Sequence, residues 1–111
     1  MSPRLNRRLT LEAPDHQSDG AGGFSESWTA LGVLWAEVVA RTGREATQSG
    51  APLSDVSYKI IVRAAPVGHI QRPTSQQRFR DGNRIFRIQA VAETDMGACY
   101  LTCFANEEVV S

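Results

Sequence analysis

Arg78-Phe79-Arg80-Asp81-Gly82-Asn83-Arg84-Ile85-Phe86-Arg87-Ile88 is the stretch whose reading decides the fold. Asp81-Gly82 is a tight-turn signal, and the residues on either side alternate in polarity, so the segment reads as a β-hairpin. Its second strand is predicted to run from Asn83 to Ala92, with Phe86, Ile88 and Ala90 on the apolar face. Just before it, Ala64 to Gln77 holds Pro66, Gly68 and Pro73 and shows no period, which predicts a loop of about fourteen residues. Further back, Val56, Tyr58, Ile60 and Val62 alternate with Ser57, Lys59, Ile61 and Arg63, a second clear strand.

The amino-terminal half keeps the same period of two. Leu5, Arg7, Leu9 and Leu11 alternate with Asn6, Arg8, Thr10 and Glu12, giving a half-buried strand that Pro14 is expected to end. Asp15 to Gly23 contains Asp19-Gly20 and Gly22-Gly23, the composition of a flexible hairpin loop. Phe24 to Ala40 reads as one long bent strand or two, with Gly32 at the bend. Leu34, Ala36 and Val38 take one face of it and Trp35, Glu37 and Val39 the other. Between Gly43, Gly50 and Pro52, residues 44–49 suit a helix of one or two turns. Ala98 to Asn106 is the last strand, pairing back across Glu93 to Gly97. The expectation is one all-β domain, a small antiparallel β-barrel of about six strands with one short helix and long loops. Closure into a barrel removes exposed edges.

Composition narrows the function. The 111 residues suit a single domain with one core. Twelve basic residues balance twelve acidic ones, so no global charge attracts nucleic acid or an anionic membrane. The charge is nevertheless polarised. Val56 to Arg80 has no Asp or Glu but holds Lys59, Arg63, Arg72, Arg78 and Arg80, whereas Glu93, Asp95, Glu107 and Glu108 fall in a carboxyl-terminal part without Lys or Arg. Such a molecule can stack or ring with copies of itself. Arg outnumbers Lys eleven to one, a bias that suits forked contacts at interfaces as well as a GC-rich genome. No apolar run suggests a signal peptide or a membrane span.

Catalytic chemistry is not visible. His16 and His69 each sit in a Gly/Pro-rich stretch with no triad spacing around them. Glu37 has no evident partner for general-base work. Gly20 to Gly23 lacks the Lys-Ser/Thr of a phosphate loop. On one strand Cys99 and Cys103 would share a face about 13 Å apart, too far for a disulfide. They read as small core residues in a reducing cytoplasm, and two Cys without a second pair make a poor zinc site. The chain is read as a non-enzyme with no cofactor and no metal. The acid-free stretch leaves a nucleic-acid-binding small barrel of the OB or SH3-like kind as the alternative. Against it, Tyr58 and Phe79, the aromatics of that stretch, fall at core parity and offer no stacking platform.

Several fragments in order resemble the phage head–tail joining family, the neck proteins also called adaptors, stoppers or head-closure proteins. Leu5 through Leu11 looks like the family's opening Leu-x-x-Arg-Leu/Ile-Thr-Leu. Gly20-Ala21-Gly22-Gly23-Phe24 and Trp28 resemble its hairpin tip and aromatic strand. Trp35-Ala36-Glu37-Val38 and Gly43-Arg44-Glu45 are similar to its most recognisable pieces. Gly82-Asn83-Arg84-Ile85-Phe86-Arg87-Ile88 resembles Gly-x-Arg-x-Phe/Tyr-x-Ile, and Tyr100-Leu101-Thr102-Cys103 the closing strand. Val62-Arg63-Ala64-Ala65-Pro66 and Tyr100 to Ala105 are similar in style to members in gene transfer agents of α-proteobacteria.

The resemblance implies a β-barrel in a phage or gene-transfer-agent particle, assembled in the bacterial cytoplasm as a ring of six or twelve copies. That ring would join the portal or adaptor to a tail terminator or tail tube protein. It would close or line a channel through which double-stranded DNA passes without sequence specificity, and no membrane is involved. Trp35, Ala36, Glu37, Gly82, Arg84 and Phe86 form the family-signature core. Arg41, Gly43, Arg44 and Glu45 are expected at the ring or adaptor interface, although a solvated helix start would look the same. His69, Gln71, Arg72, Gln76 and Gln77 are expected to face the channel or a partner. This loop departs from the pattern of a plug, being neither clearly hydrophobic nor long, so the chain can equally be a connector that DNA merely passes through.

Overall fold

The structure, a computed structural model, describes residues 3–18, 24–41, 56–93 and 99–108. Six strands follow in chain order: β1 Arg7–Ser18, β2 Phe24–Ala40, β3 Val56–Arg63, β4 Arg78–Asp81, β5 Arg84–Glu93 and β6 Tyr100–Glu107. They close into a barrel in the order β1-β2-β3-β6-β5-β4, every pair antiparallel. No helix occurs among the described residues, and the short helix expected at 44–49 lies outside them.

Alternation builds the core. Leu9 and Leu11 from β1, Ala36 from β2, Ile60 and Val62 from β3, Phe79 from β4, Phe86 and Ile88 from β5, and Leu101, Cys103 and Ala105 from β6 are buried together. Leu34, Val38, Tyr58 and Val91 pack against this cluster. The β4–β5 turn places Gly82 at φ +61°, a left-handed conformation that glycine adopts without strain.

Four expectations change. Pro14 does not end β1, which continues to Ser18 and pairs with β2 as far as Ser18↔Phe24. Beyond Glu12, β1 is partnered by β2 alone, since its pairing with β4 covers only Thr10 to Glu12. A strand paired on one side is where a sheet tolerates a proline. Asp15 to Ser18 is therefore strand, not loop. Ala90 is exposed rather than on the apolar face, because a register shift between Ile88 and Ala90 inserts an extra residue and hands the inward position to Val91. Cys99 lies just before β6 and is exposed, so Cys103 alone is a core thiol.

The bend expected at Gly32 is a second bulge. Leu11 pairs with Gly32 and Glu12 with Ala30, leaving Leu31 as the extra residue of β2. A Cβ at Gly32 would lie 2.6 Å from the Gln71 side-chain amide nitrogen, so the missing side chain makes room for the long loop. Past this bulge, β1 and β2 leave the barrel as a two-stranded arm. Seven cross-strand pairs, from Glu12↔Ala30 to Ser18↔Phe24, carry it outward for about 20 Å.

Candidate functional site

A barrel with a closed sheet offers its loops, its projecting arm and its outer face for contact. The arm is fixed at its root by a buried charge. Glu12 is 6% exposed and lies directly across from Arg78 in the β1–β4 ladder. The Arg78 Nε donates to Glu12 Oε1 at 2.7 Å, and Arg80 reaches Glu12 Oε2 at 3.6 Å. The Arg78 guanidinium also lies 3.9 Å from the ring centre of Trp28 on the arm. Desolvation is tolerated because the two charges are paired with each other and the Arg78 guanidinium is also stacked on Trp28.

At Tyr58, Arg84 and Glu107 a second network joins β3, β5 and β6. Arg84 donates from Nε and Nη2 to the two Glu107 carboxylate oxygens at 2.8 and 3.1 Å, a forked pair. Its Nη2 also donates to the Tyr58 hydroxyl, which in turn donates to Glu107 Oε1. The Arg84 hydrogen bonds, more than that of Tyr58, hold the Glu107 carboxyl below the usual carboxylate range. Burial, then the contact with Glu107, pushes the Tyr58 phenol up.

A group whose folded pKa is depressed adds stability above its unfolded value and loses it as pH falls through the folded one. Glu107→Gln is therefore expected to cost about 1 kcal/mol at pH 7 and less as the pH is lowered below about 4. Urea midpoints of both proteins from pH 3 to 7 check this. A difference independent of pH contradicts it.

The loop between β3 and β4 is braced rather than loose. Arg72 Nη1 donates to the Ala65 carbonyl at 2.7 Å, and the His69 and Arg72 backbone N–H groups donate to the Pro66 and His69 carbonyls. Pro73 is fully buried, and the Gln77 carbonyl accepts from the Ile88 N–H. The residues expected to face a channel or partner divide. His69 and Gln76 are exposed, whereas Gln71, Arg72 and Gln77 are half-buried and fasten the loop. The sequence reading missed the apolar tip: Val67 is 85% and Ile70 61% exposed. Their isolation between Pro66, Gly68 and His69 was the available signal.

At the other candidate surface, Arg41 follows β2 and is exposed, with its guanidinium 5.4 Å from the Phe104 ring centre. Gly43, Arg44 and Glu45 lie outside the described residues. The signature residues also separate. Ala36 and Phe86 are core, Gly82 forms the turn and Arg84 the ion pair. Trp35 is not core: past the bulge the odd positions Val33 to Val39 of β2 point out of the barrel, and it is 53% exposed. Glu37 accepts a hydrogen bond from the Arg4 backbone N–H at 3.0 Å.

Trp35 belongs to a wider outer face. Register sets Val39 beside Lys59 and Phe104, Glu37 beside Ile61 and Thr102, and Arg63 beside Tyr100. Arg8, Arg63 and Arg41 lie 5.9, 5.9 and 5.4 Å from the ring centres of Trp35, Tyr100 and Phe104. A shallow groove lined by Leu5, Val33, Trp35, Arg63, Ala65 and Gln71 adjoins it. Of the acid-free stretch, Arg78 and Arg80 serve Glu12 and Arg72 serves the loop, while Lys59 and Arg63 remain exposed on this face.

Among the described residues, no group of three or more His, Cys, Asp or Glu is placed to hold a metal ion. Burial pushes the Cys103 thiol up to about 12, which makes it a packing group rather than a nucleophile. The charged clusters that do form, at Glu12 and at Glu107, are ion pairs that tie strands together.

Residues 1–108 match the family model described as phage head completion protein. A chain in the structure of the virion of a native gene transfer agent particle is 52% identical, with a TM-score of 0.79, covering 99% of this chain and 100% of that one. The solution structure of a Shigella flexneri 2a protein, 23% identical, has a TM-score of 0.66 over 94% of this chain and 93% of that one, a likeness of fold. No curated protein matches.

Proposed function

The chain belongs to the phage head completion protein family, and on that premise we propose that it is a structural component of a phage-like neck. Copies form a ring that joins the portal or adaptor of the capsid to the tail and lines or closes the channel through which DNA passes. The observation that carries this is the match along nearly the whole chain to a 52% identical protein within a gene transfer agent virion. The physical work is mechanical. A closed barrel is stiff, and the arm, the Val67–Ile70 tip and the outer face are the contact surfaces such a part needs.

The braced loop favours a partner-facing or wall-forming role over that of a soft plug, since its base is fastened by Arg72, Pro73 and Gln77. His69, Gln76 and the apolar tip are the parts that reach outward. A DNA-binding module has less support, because three of the five cations in the acid-free stretch are used inside the molecule.

Deleting the gene from a particle-producing strain tests the proposal. Filled heads without tails are expected to accumulate, with DNA delivery falling to background, and the wild-type chain supplied in trans restores both. Particles with tails attached and delivery intact would overturn it.

A further inference from the structure

The ion pairs of the barrel leave its spare positive charge on one side. Arg7 pairs with Asp81, Arg78 and Arg80 with Glu12, Arg84 with Glu107 and Arg87 with Glu108. Arg72 is held by the Ala65 carbonyl. Among the described residues, Arg8, Arg41, Lys59 and Arg63 have no carboxylate partner. All four are exposed on or beside the outer face of β2, β3 and β6. The acid of that face, Glu37, accepts from the Arg4 backbone N–H.

Register sets part of this charge in a row. Arg8 lies opposite Trp35 across β1 and β2, and Arg63 opposite Tyr100 across β3 and β6. Trp35 and Arg63 follow the Ala36↔Val62 pair and line one groove together. Arginine and aromatic ring therefore alternate across four strands, each guanidinium 5.9 Å from its ring centre. That is within cation–π reach. A guanidinium whose face rests on a ring keeps its edge N–H groups for a carboxylate and loses less freedom when one arrives.

The groove adds an apolar half to the site. Its volume of about 460 Å³ lies within the range of roughly 300–1,000 Å³ that ligand sites occupy. Leu5, Val33, Leu34, Trp35 and Ala64 give it apolar walls, and Val33 and Trp35 are 47% and 53% exposed. Trp, Tyr and Arg gathered around an apolar centre are the composition of a protein-binding hot spot.

We infer that this end of the face binds an acidic segment of another protein, with one large apolar side chain in the groove and flanking carboxylates on Arg8 and Arg63. Two features favour that partner over DNA. Phosphate contacts need cations but no apolar groove, and rings already covered by arginines are not open stacking platforms for bases. A second copy of this chain fits less well. Among the described side chains, Glu12, Asp81, Glu107 and Glu108 are in ion pairs, and Asp15 and Glu37 have partners within the chain, which leaves only Glu93. The inference deepens the neck reading and rests on it for the source of the segment, a second structural protein of the particle.

A photo-cross-linker in the groove tests this with the full chain in a particle-producing strain. The chain carries p-benzoylphenylalanine in place of Val33, particles are irradiated, and mass spectrometry identifies what is attached. The expected adduct is a peptide of another particle protein, with several Asp or Glu around a large apolar residue. Arg8→Glu with Arg63→Glu in the same background is expected to cut the adduct about tenfold or more. Thermal melts of the purified chains check that this variant folds. Lysines in place of the partner's carboxylates are then expected to restore the adduct.

An adduct with DNA, with a second copy of this chain or with a peptide lacking acids would overturn the inference. So would an adduct that the two reversals leave unchanged. Tailed particles that contain the chain and give no adduct sink the site and keep the neck. An acidic-peptide adduct on a protein outside the particle keeps the site and sinks the neck as its setting.

Discussion

Glu12→Ala is expected to destabilise the chain by about 3 kcal/mol, a large share of what a domain of this size has to lose. The carboxylate is buried and takes the Nε–H of Arg78, itself 12% exposed at the side chain, at 2.7 Å. Removing it leaves an unpaired guanidinium against the Trp28 ring in a dry junction. The desolvation penalty of the stranded charge, more than the lost attraction, sets the size of the effect. The companion Glu12→Ala/Arg78→Met removes both charges and is expected to recover much of the loss, because an unbranched apolar chain can still lie on Trp28. Urea denaturation of the three proteins reads this out. A single variant within about 0.5 kcal/mol of wild type contradicts the assignment of Glu12 as the root of the arm.

Phe86→Ala is expected to cost about 3–5 kcal/mol and to leave the chain largely unfolded at 37 °C. Phe86 is fully buried, faces Phe79 across the β4–β5 ladder, and meets the Tyr58 ring edge-on at a centroid distance of 5.1 Å. Arg84 lies 4.9 Å from its ring centre. Truncation therefore opens a cavity at the point where β3, β4 and β5 come together, and takes away the apolar support beneath the Arg84–Glu107 pair. Phe86→Leu refills most of the volume and is expected to retain the fold at a cost of about 1–2 kcal/mol. Circular dichroism melts discriminate the two. Equal melting temperatures for Phe86→Ala and wild type would show that the site is not core.

Period-two alternation made most of this core legible in the chain itself. Leu9, Leu11, Ile60, Val62 and Phe86 fall inside because one face of each strand is apolar, and Asp81-Gly82 turns the chain where the turn chemistry demands. Parity fails where a residue is inserted. The extra residue between Ile88 and Ala90 is invisible in composition, yet it turns Ala90 outward and Val91 inward. Pro14 misled for a related reason: whether a proline breaks a strand depends on whether a neighbour needs its N–H, and that neighbour is 60 or more residues away.

The functional surfaces were less legible because they are made by register. Glu12 and Arg78 are separated by 66 residues, and only the closing β1–β4 pairing sets them opposite each other. Trp35, Lys59, Arg63, Tyr100 and Phe104 come from three strands, and their common face appears only once β3 is set between β2 and β6. The acid-free stretch looked like one basic surface in the sequence. In the fold it divides between the Glu12 junction, the braced loop and the outer face.

The most direct measurement of the central claim is a reconstruction of the neck of the assembled particle, without imposed symmetry. The account predicts repeated copies of this six-stranded barrel around the DNA channel between portal and tail, each touching its neighbour through different surfaces. A neck with no such density, or with a single barrel bound off the axis, would contradict it.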